Sequence, residues 1–241
     1  MKKVLSVGVL VLVLILLAVP VKAQDATPAI SASDQISVDG TVTVANVTSA
    51  GPAFVAIHAD MDGMPGPVVG IAPVQAGTQE NLVVPIDASG ATPVLHAMLH
   101  NDDNTADAFE FERVAGADMP VLVGNQPVTA TFRIAAIRVY DQMINNNAVV
   151  IASVISETGG WAVVEVDEGG QPGAVLGQAP LRPGTNPGVI VPLAPEGAAG
   201  TLWVMVHTDD NEVGTFEFGM VEGADAPVML GEQMVMAPVN S

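Results

Sequence analysis

Thr41-Val42-Thr43-Val44-Ala45-Asn46-Val47 reads with a period of two, small polar residues alternating with branched apolar ones. That alternation sends one set of side chains inward and the other outward, the pattern of a half-buried strand. Working outward, Ala53-Phe54-Val55-Ala56-Ile57-His58 forms the next strand. Others follow at Val68–Ala72, Leu82–Ile86, Val94–His100, Phe109–Glu112 and Val128–Ile134. Turn residues separate them at Pro65-Gly66, Gly77-Thr78, Ser89-Gly90 and Gly124-Asn125. Pro65-Gly66 suits a type II turn, with φ preset by proline and a positive φ supplied by glycine. No stretch after residue 23 holds a helical period. Short strands at this spacing predict an all-β fold, an immunoglobulin-like β-sandwich, with a small closed barrel as the alternative.

The reading applies twice. Shifted by 107 positions the chain matches itself without a gap: His100 falls on His207, Asp102-Asp103-Asn104 on Asp209-Asp210-Asn211, and Phe109-Glu110-Phe111 on Phe216-Glu217-Phe218. Roughly 40% of aligned positions are identical, and the repeat has the length of a whole domain rather than a solenoid unit. The expected organisation is a signal peptide at residues 1–23, a short leader at 24–29, and tandem β-sandwich repeats at 30–134 and 135–241. Thr129 to Ile134 passes into Ala135 to Tyr140 with no Gly, Pro or Ser spacer. A flexible linker would show one. The halves are therefore two sandwiches in close tandem, or they share one larger sheet system.

Lys2 and Lys3 precede an apolar run from Val4 to Val19, broken by Pro20 and followed by Val21-Lys22-Ala23. This is the order of a cleaved export signal; the same run is also long enough to act as an uncleaved anchor. Cleavage after Ala23 removes every lysine, leaving four arginines against 26 acidic residues, a formal charge of −22 (4 − 26). Such a surface repels nucleic acid and anionic membrane, so neither is expected as a partner. The expected partner is an extracellular or cell-surface component, and no membrane contact is expected beyond the signal segment. With no cysteine in the chain, each domain rests on its core alone, which domains of this size can sustain. Only 4% of residues are aromatic, so that core is built of Val, Ile, Leu, Met and Ala. Phe54, Trp161 and the Phe-x-Phe pairs join it.

Several spaced motifs recur in both copies. An aromatic third strand is followed by x-Pro-Gly-x-Val-x-Gly, then a Gly-Thr turn. Leu-x-x-Met-x-His-x-Asp-Asp-Asn, Phe-Glu-Phe and Gly-Ala-Asp-x-Pro-Val complete the order. This pattern resembles a secreted domain-of-unknown-function family that recurs, often in tandem, in surface and exported proteins of archaea and bacteria. The resemblance covers both repeats and implies an extracellular β-rich module with no catalytic residues to transfer.

One constellation carries chemistry: His100-x-Asp102-Asp103 and its copy His207-x-Asp209-Asp210. A histidine at a strand end beside two carboxylates suits a divalent cation, with Glu110 or Glu217 nearby if Phe-Glu-Phe pairs with that strand. Repeat one adds His58, His96 and Met98, a set that suits copper, but repeat two has Glu165 and Trp203 in place of the two histidines. Against the metal reading, Asp-Asp-Asn is turn chemistry, and a preceding histidine locks such a turn by hydrogen bonds alone. A ring buried and bonded to backbone favours the structural role; a ring converging on Asp102 and Glu110 in a cleft favours ligation. The function expected is thus a secreted or surface-exposed, non-enzymatic protein with a structural, adhesive or matrix-interaction role and no cofactor. The alternative is an extracellular divalent-metal-binding protein using those strand ends.

Overall fold

The computed structural model describes residues 26–194 and 199–241; the expected signal segment lies outside them. In repeat one, β1 (Ala29–Ala32), β3 (Thr41–Ser49) and β6 (Gly77–Pro85) form a three-stranded sheet in the order β1-β3-β6. Facing it are β5 (Met64–Val74), β4 (Ala53–Met61), β7 (Val94–Asn101) and the first half of β10 (Thr129–Val139), in that order and all antiparallel. Repeat two repeats the plan. The second half of β10, β11 (Ala148–Ser156) and β14 (Gly184–Pro192) make the smaller sheet. The larger one is β13 (Pro172–Leu181), β12 (Gly160–Asp167), β15 (Thr201–His207) and β18 (Met236–Asn240). Short hairpins, β8 (Leu122–Val123) with β9 (Gln126–Pro127) and β16 (Met229–Leu230) with β17 (Gln233–Met234), precede the last strand of each repeat. The protein is an all-β tandem of two sandwiches.

The junction joins both organisations expected from the sequence. Residues 129–133 of β10 pair with β7, and residues 136–139 pair with β11. Between them Ile134, Ala135 and Ala136 run parallel to β2 (Gln35–Ser37). One strand therefore closes the first sandwich and opens the second. The cores meet there too: Ile155 of repeat two is buried in the core of repeat one, and Ile36 of repeat one packs on that of repeat two. Thr185 Oγ1 donates to the Ala91 carbonyl across the boundary at 2.6 Å. The exposed Arg133–Glu157 ion pair, 3.3 Å, adds little by comparison.

Each core follows from alternation. Val42 and Val44 of β3 face Val55 and Ile57 of β4 and Leu95 and Leu99 of β7, all completely shielded or nearly so. The inward phase then slips, because Val47 rather than Asn46 is buried. The register against β1 shifts opposite Ala45, and Asn81 on the other side takes a φ of 53°. A bulge of this kind advances the pleat by one residue. Close approach of the sheets at one corner requires glycine: a Cβ on Gly70 would strike the Pro85 carbonyl, and one on Gly177 the Pro192 carbonyl.

Two local expectations are corrected. The β4–β5 turn is at Asp62-Gly63, with φ of 56° and 81°, not at Pro65-Gly66. Two consecutive positive φ values make the type I′ turn of a two-residue hairpin, and Gly169-Gly170 repeats it at 70° and 89°. Pro65 and Pro67 lie within β5, an edge strand, where a missing N–H costs no ladder bond. The strand expected at Phe109–Glu112 does not form either; these residues belong to a turn-rich loop that covers the outer face of the larger sheet.

Candidate functional site

That loop explains why β4 is buried along most of its length on both faces. Its outward residues Phe54 and Ala56 make a second small core with Phe109, and Val68 and Phe111 pack on it. Phe54 meets Phe109 edge-on at 5.4 Å, as Trp161 meets Phe216 at 5.6 Å. Phe109 is buried in this outer core and Phe111 packs on it, while Phe216 and Phe218 are half-buried, set against Trp161 and His207.

Carboxylates hold the loop in shape. Both oxygens of Asp102 accept the Asp107 N–H at 3.1 Å, and those of Asp209 accept the Gly214 N–H at 2.8 and 3.0 Å. Asp103 and Asp118 are reciprocal partners, each accepting the other's backbone N–H, at 2.9 and 3.0 Å; Asp210 and Asp225 do the same at 3.0 Å each. The second oxygen of Asp118 accepts the Glu110 N–H, and that of Asp225 the Glu217 N–H. Glu110 in turn accepts from Asn104 Nδ2 at 2.7 Å and from the Thr105 N–H at 3.1 Å. Glu217 repeats this with Asn211 and Glu212. Asp118 and Asp225 are completely buried. A buried carboxylate needs such donors, and a loop without a ladder partner needs such acceptors.

The histidines are pinned in the same way. His100 and His207 are completely buried, and each donates from Nδ1 to the carbonyl of Asp118 or Asp225, at 2.7 and 2.8 Å. Their edges lie against Phe111 and Phe218, with ring centres 4.6 Å apart. His96 does not join them; its Nε2 lies 2.8 Å from Asp60 Oδ1 and its Nδ1 2.9 Å from Thr131 Oγ1. In repeat two the indole N–H of Trp203 donates to Asp167 Oδ1 at the same 2.8 Å. Indole nitrogen has no lone pair for a metal, so both copies keep a donor to the carboxylate rather than a ligand. Met98 is buried on the same strand face. Among the described residues no three His, Asp or Glu side chains converge as a metal-binding group. The structure thus spends Asp102, Asp103, Asp209 and Asp210 on backbone N–H groups and His100 and His207 on backbone carbonyls.

One pairing is not visible in the sequence. His58 sits opposite His96 in register, and Phe54 opposite His100. Yet the His58 and His100 rings reach toward each other across the intervening Ala56–Met98 pair, with their Nε2 atoms 3.2 Å apart. Glu165 occupies the position of His58 in repeat two, and its Oε1 lies 3.7 Å from His207 Nε2, neither atom having a hydrogen-bond partner among the described residues. Burial pushes the His100 ring down to about 4 and holds His58 and His207 below the ordinary imidazole value. The same burial raises the Glu165 carboxyl. What could have revealed the pair is that positions 58 and 165, though different, are both ionisable and each follows five residues with no charge on its strand.

Fold and loop together define a class: a tandem all-β protein in which a carboxylate-pinned loop caps the outer sheet face of each sandwich. The chain belongs to a family known as a domain of unknown function, DUF7282, whose model matches it twice, over residues 28–134 and 135–240. No curated protein matches the chain.

Proposed function

We propose that this protein is exported and acts outside the cell as a non-enzymatic spacer or scaffold with a structural, adhesive or matrix-interaction role. The observation that carries this reading is the fate of the repeated polar groups. The Asp-Asp corner carboxylates and the Nδ1 atoms of His100 and His207, common to both copies, are committed to the backbone of their own loops, which leaves this repetition explained by architecture. The basic and apolar N-terminal segment, the formal charge of −22 (4 − 26) after its removal and the absence of cysteine support export without a disulfide framework. The partner is an extracellular or surface component, and neither nucleic acid nor anionic membrane suits so acidic a chain. No cofactor enters this reading.

Mass spectrometry of the protein recovered from culture medium and cell surface is expected to give a chain beginning at Gln24. Calorimetry of that chain with calcium, zinc and copper is expected to show no stoichiometric binding. Retention of the whole chain inside the cell contradicts export. Tight metal binding that disappears in Asp102→Asn and Asp209→Asn contradicts the structural role of the two corners.

A further inference from the structure

We propose that the His58–His100 pair is a buried one-proton site, a cation shared between two Nε2 atoms, and that it sets an optimum pH for the stability of repeat one. The argument begins with the far side of each ring. His58 Nδ1 lies 2.7 Å from the Gly66 carbonyl and His100 Nδ1 2.7 Å from the Asp118 carbonyl. A carbonyl oxygen only accepts, so both Nδ1 atoms carry hydrogen. In a neutral ring the remaining nitrogen is then a bare acceptor, and here two such nitrogens lie 3.2 Å apart. The ring centres are 5.4 Å apart and the planes inclined by 19°. The centres are thus farther apart than the nitrogens by about two ring radii, so the lone pairs point almost straight at each other.

Three protonation patterns are available. Two neutral rings leave two buried acceptors facing each other without a donor, an unpaired arrangement that burial makes costly. Moving one hydrogen from Nδ1 to Nε2 mends that contact but sets a lone pair against a carbonyl oxygen at 2.7 Å. One added proton satisfies all four nitrogens, and the 2.7 Å bonds to carbonyl oxygen are as short as charge-assisted ones. Burial opposes the charge. The fully buried Asp118 carboxylate and Glu112 favour it, both from the covering loop. The loop also brings Glu110, which is turned to Asn104 and Thr105. From β4 comes Asp60, paired with His96 of β7, while β5 and residues 129–132 of β10 bring no ionisable group.

The sign of the pH dependence follows. Unfolded, both histidines titrate near 6.5. Burial alone would hold both rings below that value; the shared Nε2–H–Nε2 bond opposes burial, because no other proton satisfies the two facing lone pairs. With that bond formed the folded pair keeps its first proton above the pH at which the unfolded chain has lost it, so stability falls as pH rises through the upper pKa of the pair. Below about 6.5 the unfolded chain takes two protons while the folded pair holds one, so stability falls again as pH drops toward about 4. Repeat two holds no such pair: Glu165 Oε1 and His207 Nε2 lie 3.7 Å apart, beyond hydrogen-bond distance, and share no proton.

The test is nitrogen-15 NMR of histidine-labelled full-length mature protein, titrated from pH 5 to 9, with stability followed over the same range. At pH 6.5 both Nδ1 atoms are expected to be protonated and the two Nε2 atoms to share one proton, with shifts between the bare and protonated values. His58→Gln places an uncharged amide donor against His100 Nε2; it is expected to fold, to abolish the shared signal and to remove the alkaline loss from repeat one. Two bare Nε2 signals at pH 6.5, or an alkaline loss unchanged in His58→Gln, overturns the proposal. Shifts that change after dialysis against a chelator also overturn it, since they assign the pair to a metal ion.

Discussion

Asp118 and Asp225 show how one residue can hold a loop that has no strand to pair with. Each carboxylate is fully buried, accepts two backbone N–H groups and returns its own N–H to a second aspartate. Both sit at a φ of 47°, a conformation that Asp tolerates better than most residues. Replacing either by alanine strands two buried donors, and Asp118→Ala and Asp225→Ala are each expected to cost about 2–4 kcal/mol. Denaturant unfolding measures this; a loss below about 0.5 kcal/mol would show that the loop is held by its phenylalanines instead. The sequence comparison already marked these aspartates, because both repeats keep them. It did not show that they are buried, since an aspartate before Met119-Pro120 or Ala226-Pro227 reads equally well as a turn residue. The pairing of His58 with His100 was hidden for a different reason: register sets His58 opposite His96, and only the lean of the rings brings it to His100.

At the scale of elements, β3 was legible from its period of two, and β4 and β7 from short, mostly apolar runs bounded by turn residues. Phe109-Glu110-Phe111 is too short for a period to mean anything. Two rings on one side of a turn give the same three letters as a strand. The β4–β5 hairpin turns at Asp62-Gly63 rather than at Pro65-Gly66, because two consecutive positive φ values match the twist of the flanking strands while the prolines fit an edge strand. Gly70 and Gly177 are retained for space, since the chain passes against the Pro85 and Pro192 carbonyls. Gly177→Ala is expected to force the sheets apart at that corner and to cost about 1–3 kcal/mol, read from the unfolding midpoint. Gly63→Asn is the contrasting change: its turn has room for a side chain and asparagine tolerates positive φ, so little loss is expected. Equal losses in the two variants would contradict a steric role for Gly177.

In the whole molecule, β10 decides how the two sandwiches stand to each other. It leaves the larger sheet of repeat one and enters the smaller sheet of repeat two without a break, flanked by β7, β2 and β11 along its length. Bending at Ile134–Ala136 would break its parallel pairing with β2 and uncover Ile36 and Ile155, each packed on the other repeat's core. The lack of a Gly, Pro or Ser spacer predicted the close tandem, but a shared strand is a long-range pairing that no local pattern announces. This shared strand is expected to make the tandem one rigid spacer. The chain has no native cysteine, so Glu80→Cys with Gln171→Cys, both exposed, allows spin labels to be placed cleanly on the two repeats. Pulsed dipolar spectroscopy of the doubly labelled protein is predicted to give one narrow distance distribution, limited by the labels themselves. A broad or two-peaked distribution would mean that the repeats move independently, and would contradict the account.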